Sequence, residues 1–205
     1  MPSPLTDTEI IEKLTQKMPR KLKLMAKIVW FSRGYQVNEQ NQVTHLSIFN
    51  MDLCGQWPAE LFQLQHLEYL DIRDNALASI PDSIASLQKL KCLDVRLNLL
   101  TSLPSAISQL PQLEKLYLAQ NQFTSIPGTI AQCPTLELID LTNNAIAQGC
   151  EHLLEANTLK RIYLNNNQIK HFPFDQVSRP IEELNVCENP LESRSANKLV
   201  EKLFI

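Results

Sequence analysis

Histidine and cysteine are the residues of this chain best suited to nucleophilic or metal chemistry, and their spacing argues against both uses. The four histidines are His45, His66, His152 and His171, and no two of them lie at metal-ligand spacing. The five cysteines include no CxxC pair. Cys150 and His152 are close in sequence, but no third residue is evident that would orient the histidine as a base. We therefore predict no catalytic residue, no metal site and no cofactor.

Sequence motifs of catalytic or nucleotide-binding sites are missing as well. No GxSxG, HExxH or Walker pattern occurs, and four glycines in 205 residues do not supply a glycine-rich phosphate loop. The net charge of −3 argues against a nucleic acid as the partner. A hydrophobic content of 44% is typical of a water-exposed domain or a short repeat array. These features favour a binding protein over an enzyme.

The ends and the thiols predict the cellular compartment. No stretch approaches 18 apolar residues, and the start, MPSPLTDTEI, lacks the basic and apolar regions of a signal peptide. An odd number of cysteines without a pairing pattern fits a reducing environment. We predict a cytoplasmic location, and export by a route without a cleavable signal stays open.

An internal repeat dominates the sequence. Seven segments fit L-x-x-L-x-L-x-x-N-x-L with conservative variants, and they begin at residues 43, 67, 90, 113, 136, 159 and 181. Within each segment, apolar and polar residues alternate at period two, which predicts a short strand. Such a strand cannot bury its apolar side alone, so successive turns must stack into a parallel sheet over a continuous core.

An asparagine occurs at the same place in six of the seven segments: Asn75, Asn98, Asn121, Asn144, Asn167 and Asn189. A side-chain amide carries both donors and an acceptor, so it can satisfy backbone groups where the chain leaves a strand. We interpret the column as structural and not as a ligand-binding ladder. Met51 takes this place in the first segment, where the end of the array relaxes the requirement.

The second half of several segments reads x-x-[ILF]-P, as in Ile80-Pro81, Leu103-Pro104, Ile126-Pro127 and Phe172-Pro173. With these residues the chain resembles the leucine-rich repeat family, in the form common in intracellular plant and bacterial proteins. The resemblance covers residues 43–191. It implies an α/β solenoid, a right-handed horseshoe with one parallel sheet on its concave side. Enzymes of the family usually carry a separate catalytic domain, and the 14 residues after the last repeat are too few for one.

The sequence divides into three regions. Residues 1–42 are predicted to form a helical N-terminal cap, residues 43–191 the seven repeats, and residues 192–205 a C-terminal capping helix. In the N-terminal cap, a first helix should begin near Thr6 or Asp7. A second amphipathic piece is expected at 21–34, around Leu24, Ile28 and Trp30, followed by an edge strand at Tyr35–Val37.

The fifth repeat departs from the pattern. Residues 145–158 lack the x-x-[IL]-P motif, and the spacing of Cys150, Leu153 and Leu154 predicts a short helix on the convex side.

The third, fifth and seventh motif positions should point to the concave face. Tyrosine and arginine, the residue types enriched in binding hot spots, concentrate there. We therefore predict a monomer that binds a partner protein on this face. The candidate contact residues are Tyr69, Asp71, Arg73, Asp94, Arg96, Tyr117, Asp140, Arg161 and Tyr163.

Four other interpretations stay open. The Asp71–Arg73 and Asp94–Arg96 pairs could merely neutralise each other in an exposed sheet. The protein could be a bacterial effector acting on a host protein, or could supply Arg73 or Arg96 to activate a nucleotide hydrolase. Residues 1–34 carry a net charge of +4, which leaves −7 for the rest, so the basic segment 13–33 could contact an anionic membrane. A solvated outer face of the cap is the interpretation we favour over membrane contact.

Overall fold

Seven short parallel strands follow one another in chain order, one from each repeat. In the computed structural model, which describes residues 5–29, 31–177 and 180–192, they form a single eight-stranded sheet with one added strand at its first edge. The strands are β1 (Gly34–Val37), β2 (Val43–Ser47), β3 (Tyr69–Asp71), β4 (Cys92–Asp94), β5 (Lys115–Tyr117), β6 (Leu138–Asp140), β7 (Arg161–Tyr163) and β8 (Glu183–Asn185).

Strands β2 to β8 pair in parallel, and β1 pairs antiparallel with β2. The register matches motif position to motif position, so that Leu70 lies beside Leu93 and Leu93 beside Leu116. These inward leucines are fully buried. The predicted solenoid with one sheet is confirmed.

Prolines mark where the convex side begins. Five short 3-10 helices each follow a proline: Ala59–Gln63, Asp82–Ser86, Ser105–Gln109, Gly128–Gln132 and Phe174–Gln176. Proline has no N–H to leave unpaired, and its fixed φ suits the start of a helical turn. Each turn places an apolar side chain, such as Ile84 or Ile107, under the next one. The convex side thus closes the core opposite the sheet.

The asparagine column joins neighbouring repeats. The Asn75 amide nitrogen donates to the carbonyls of Ile48 (3.0 Å), Ile72 (3.1 Å) and Arg73 (2.9 Å), and its oxygen accepts from the Met51 backbone N–H (2.9 Å). Each later asparagine of the column bonds in the same way to its own turn and to the preceding one. Buried backbone groups are therefore satisfied across the junction between repeats.

This geometry explains why the column begins at the second repeat. An asparagine at position 51 would have no preceding repeat whose N–H groups its oxygen could accept. Met51 is instead fully buried as part of the core. The Phe49 carbonyl, which corresponds to the Arg73 carbonyl one repeat later, accepts from Arg33 Nε at 2.7 Å. Arg33, which precedes the repeats, thus supplies one of the hydrogen bonds that an asparagine side chain supplies in the later repeats.

The N-terminal cap contains one helix, α1 (Asp7–Gln16). A capping box between Thr6 and Glu9 begins it, and Ile10, Ile11 and Leu14 are buried against the first repeat. Asp7 also accepts from the Val43 backbone N–H at 2.7 Å, which ties the helix to β2. Among the described residues, no helix is long and apolar enough to cross a membrane.

The second amphipathic piece expected at 21–34 is not a helix in the described residues. The segment is irregular and extended: the Met25 N–H donates to the Tyr35 carbonyl at 2.8 Å, and the Tyr35 N–H donates to the Lys23 carbonyl at 3.0 Å. Consequently Leu24 is exposed. Gly34 is required here, because a Cβ at that position would lie 2.2 Å from the Lys23 oxygen. Trp30 lies outside the described residues.

The fifth repeat carries a helix, α2 (Glu151–Glu155), in place of a 3-10 turn. Cys150 and Leu153 are buried beneath it, which agrees with the expectation for this repeat. Gly149 precedes it at φ +87°, where an added Cβ would lie 2.8 Å from the Ile126 oxygen. The predicted C-terminal capping helix, residues 192–205, lies outside the described residues except for Glu192.

Candidate functional site

The strand register brings all nine candidate residues onto the concave face. Tyr69 and Arg161 lie in one row of paired positions, which runs across the sheet from β2 to β8. A second row contains Asp71, Asp94, Tyr117, Asp140 and Tyr163. Arg73 and Arg96 come two residues after the aspartates of β3 and β4. The face is therefore assembled as the motif predicts, although its residues are unequally accessible.

Two aspartate–arginine pairs occupy the first half of the face. Arg73 donates to both Asp71 carboxylate oxygens at 2.8 Å, and Arg96 donates to those of Asp94 at 2.9 and 2.6 Å. Arg73 also lies 3.3 Å from Asp94, so the two pairs form one network. A bidentate guanidinium–carboxylate pair fixes both side chains in one geometry.

Burial within this network decides which members a partner could contact. The side chains of Asp71 and Asp94 are 1% and 3% exposed, and that of Arg73 is 12% exposed. The Arg96 side chain keeps 32% of its surface. Burial raises the pKa of Asp94 while hydrogen bonds from Arg96 oppose the shift, and those same bonds raise the pKa of Arg96. The aspartates fix the positions of the arginines, and Arg96 carries the positive charge that a partner could reach.

Aromatic rings flank the arginines. The guanidinium of Arg33 lies 4.1 Å from the Phe49 ring centre and that of Arg73 5.1 Å from it, while Arg96 lies 5.1 Å from the Tyr117 ring centre. Such stacking stabilises the cation and orients the ring. Arg33 and Phe49 were not among the predicted contacts, because Arg33 precedes the repeats and Phe49 belongs to the atypical first one.

Hydrogen bonds to carboxylates hold the second half of the face. The Tyr163 hydroxyl donates to Glu183 at 2.6 Å, which raises the pKa of Tyr163 to about 12. Asp140 accepts from the Thr142 backbone N–H at 3.0 Å. Arg161 Nε is shielded from solvent, and it has no hydrogen-bond partner in the part of the chain that the structure describes.

Two of the thiols are poor nucleophiles because they are buried. Burial raises the pKa of Cys92 and of Cys150 to about 12, so both stay protonated near neutral pH. His152 faces Glu155 at 3.4 Å. Within residues 5–29, 31–177 and 180–192, no group of three or more histidine, cysteine or acidic side chains could hold a metal ion.

Comparison with known proteins identifies the family. A model described as a leucine-rich repeat region matches residues 24–177. The chain belongs to the leucine-rich repeat family. This family is generally a non-enzymatic interaction scaffold. A comparison with curated proteins finds no match.

Three solved structures illustrate the relationship. A leucine-rich repeat protein of Leptospira interrogans is 30% identical over 73% of this chain, with a TM-score of 0.66. The ectodomain of the Arabidopsis thaliana receptor kinase GASSHO1/SCHENGEN3, in complex with CASPARIAN STRIP INTEGRITY FACTOR 2, is 29% identical over 66% (TM-score 0.55). An internalin from Listeria monocytogenes, 20% identical over 81% (TM-score 0.62), shares the fold. This chain spans 38%, 17% and 49% of their respective lengths.

A leucine pair beside the concave face was also missed by the sequence interpretation. In every repeat the eighth motif position, directly after Phe49 or its equivalent, has a left-handed backbone. Its occupants are Asn50, Asp74, Leu97, Gln120, Asn143, Asn166 and Glu188. Leu97 is the apolar exception, and both Leu97 and Leu99 are 44% exposed. A left-handed backbone is unfavourable for leucine by roughly 1–2 kcal/mol. The signal was readable in the sequence as a break in a polar column.

The partly buried His45 should make the stability of the protein depend on pH. Its ring stacks on Tyr69 with centres 5.8 Å apart, and burial lowers its pKa below the usual 6.5, against an opposing effect of Glu68. Because the folded protein disfavours the charged ring, we expect stability to fall as the pH drops through that pKa. His45→Gln should flatten this slope, measured as urea midpoints at neutral and mildly acidic pH. His66→Gln is the control, and an unchanged slope in His45→Gln would refute the assignment.

Proposed function

We propose that this leucine-rich repeat protein binds a partner protein through its concave face and the adjoining Leu97–Leu99 edge, meaning the exposed leucine pair just past β4. The exposed leucine pair is the main observation in support of this proposal. Leu97 keeps both an unfavourable backbone conformation and an exposed apolar side chain, in a column that is otherwise polar. The left-handed backbone is common to all seven repeats, but an exposed leucine side chain there does not stabilise the fold, and it is consistent with a contact site.

The residues next to the leucine pair are of the types that bind a partner protein tightly. Arg96 precedes Leu97 directly, and its partly exposed guanidinium lies over the Tyr117 ring. An apolar contact bordered by arginine and tyrosine has the composition of an interface hot spot. We expect the partner to place an apolar side chain against Leu97 and Leu99 and a carboxylate near Arg96.

The size and stiffness of the face support the same proposal. Seven strands at about 4.8 Å spacing give a surface roughly 30 Å long, enough for a standard protein interface. The side chains are held by the aspartate network and by stacking, so binding orders few of them. The Arabidopsis relative in complex with CASPARIAN STRIP INTEGRITY FACTOR 2 gives a precedent within the family for a bound factor.

The accessible contacts are fewer than the sequence predicts. Asp71, Asp94 and Arg73 act as supports, while Arg96, Tyr117, Arg161 and Tyr163 remain as contacts in our proposal. Activation of a nucleotide hydrolase through a free arginine is disfavoured, because Arg73 and Arg96 are each held by two hydrogen bonds to an aspartate. We also propose a cytoplasmic location, where the five free cysteines stay reduced.

The test requires a variant that alters the surface without disturbing the fold. Arg96→Ala is unsuitable, because it removes the main partner of the buried Asp94. The double change Leu97→Gln with Leu99→Gln is better, since the next repeat carries glutamine at both corresponding positions, Gln120 and Gln122. Its melting temperature should equal or exceed that of the parent.

Affinity capture followed by mass spectrometry would identify the partner, and titration calorimetry would then compare affinities. We expect the leucine double variant to weaken binding at least thirtyfold, about 2 kcal/mol. The matched control, Asn143→Gln with Ala145→Gln, introduces the same glutamines two repeats further on. Normal binding by the leucine variant, together with loss of binding on charge reversal at Lys21, Lys23 and Lys27, would move the site to the N-terminal segment.

A further inference from the structure

The segment that leads from α1 to β1 has an unusual charge pattern. Residues 13–33 contain seven lysines and arginines and no aspartate or glutamate. The sequence alone favours a solvated helix face for them. In the structure the helix ends at Gln16, and the lysines and arginines after it lie on an irregular segment whose backbone bonds to Tyr35 in β1. We call residues 20–33 the basic end segment.

Most cations of this segment have no structural use within the chain. Arg20, Lys21, Lys23 and Lys27 are exposed, and none has an acidic partner in the described part of the chain. Two lysines elsewhere on the surface are paired instead: Lys91 with Glu68 at 2.7 Å, and Lys160 with Glu137 at 2.6 Å. The four charges therefore add up to a positive patch available to a negatively charged surface.

Two large apolar side chains stand in the same patch. Leu24 is 60% exposed and Phe31 is 65% exposed, more than Leu97 or Leu99. The bridge to Tyr35 fixes the backbone at Leu24 with its side chain outward, while Leu22 is buried. Exposed leucine and phenylalanine between lysines form the composition of a segment that lies in a membrane interface.

We propose that the basic end segment docks the protein on an anionic lipid membrane. Leu24 and Phe31 enter the interface, and the four cations contact the lipid headgroups. Charge complementarity identifies the occupant: long, unpaired side chains without a fixed carboxylate-binding geometry suit a fluid anionic surface better than one acidic protein. Residues 35–205 carry a charge of −7 and are repelled by such a surface. The solenoid should therefore contact the membrane only through its N-terminal end, which leaves the concave face accessible. This inference is independent of the proposed protein partner.

Co-sedimentation of the full chain with vesicles tests the proposal. We expect binding to phosphatidylcholine vesicles that contain phosphatidylserine, weak binding to phosphatidylcholine alone, and a decrease with added salt. Lys23→Gln with Lys27→Gln should lower partitioning at least about tenfold, since each cation near the surface contributes severalfold. The control, Lys89→Gln with Lys170→Gln, removes the same charge from exposed sites elsewhere and should bind like the parent.

A separate pair of variants tests the contribution of the apolar side chains Leu24 and Phe31. Leu24→Ser with Phe31→Ser should lower partitioning severalfold, whereas Leu97→Gln with Leu99→Gln should not. Melting temperatures verify that each variant is folded, and the salt dependence of the unaltered protein gives a readout that needs no variant. The proposal is overturned if the parent does not sediment with anionic vesicles, if both lysine pairs lower binding equally, or if the protein binds soluble polyglutamate but not lipid.

Discussion

Leu118→Ala is expected to lower the free energy of unfolding by about 2–5 kcal/mol. Leu118 follows β5 in the middle of the array and is fully buried. It occupies the same motif position as Val95 and Leu141 in the neighbouring repeats, which are also fully buried. In a solenoid each repeat packs only on its neighbours, so a cavity at this position weakens two interfaces at once.

Urea unfolding followed by circular dichroism would measure this loss. Leu99→Ala is the matched control, because it removes the same atoms from a side chain that is 44% exposed. That change should alter stability by no more than about 0.5 kcal/mol. Equal effects of the two substitutions would show that the inward direction assigned to the sixth motif position is wrong.

The regular part of the fold could be predicted because the repeat specifies it several times over. A one-residue error in strand register would turn every apolar side chain to the concave face, so the L-x-x-L-x-L pattern admits a single register. The pairing of Tyr69 with Cys92, and of Asp71 with Asp94, follows from the repeat length alone. The rows of the concave face were therefore readable from the sequence.

The N-terminal segment could not be predicted in the same way, because its conformation depends on a distant partner. Leu24 and Ile28 have helical spacing, yet the backbone there bonds to Tyr35 and passes close to Gly34. Two hydrogen bonds to an adjacent strand outweigh a weak helical preference in a segment with few apolar residues. Nothing repeats in this segment, so no second copy reveals its pattern.

The accessibility of the candidate site residues could not be predicted from the sequence either. Sequence shows that Asp71, Arg73, Asp94 and Arg96 share the face, but not which of them cover the others. The contact between Arg73 and Asp94 crosses between repeats, and within this network Arg96 is the more exposed arginine. Side-chain packing between adjacent strands decides such questions, and a one-dimensional motif does not contain it.

Asn121→Leu is expected to destabilise the protein by about 3 kcal/mol or more. The Asn121 amide donates to the carbonyls of Val95 (3.1 Å), Leu118 (3.0 Å) and Ala119 (3.3 Å), and its oxygen accepts from the Leu100 N–H (2.9 Å). Leucine leaves these backbone groups without that partner, and each buried unpaired group costs about 1–3 kcal/mol.

Two further variants separate the hydrogen bonds from the change of shape. Asn121→Asp keeps the outline and the acceptor for Leu100 but turns a carboxylate toward three carbonyl oxygens, so it should destabilise the protein as well. Asn157→Leu, at an exposed site, is the control and should have little effect on the urea midpoint. Hydrogen exchange at the Leu100 N–H should accelerate in Asn121→Leu, since its acceptor is gone. If Asn121→Leu and Asn157→Leu unfold at the same urea concentration, the asparagine column does not join the repeats, and the stability of the array must come from the leucines alone.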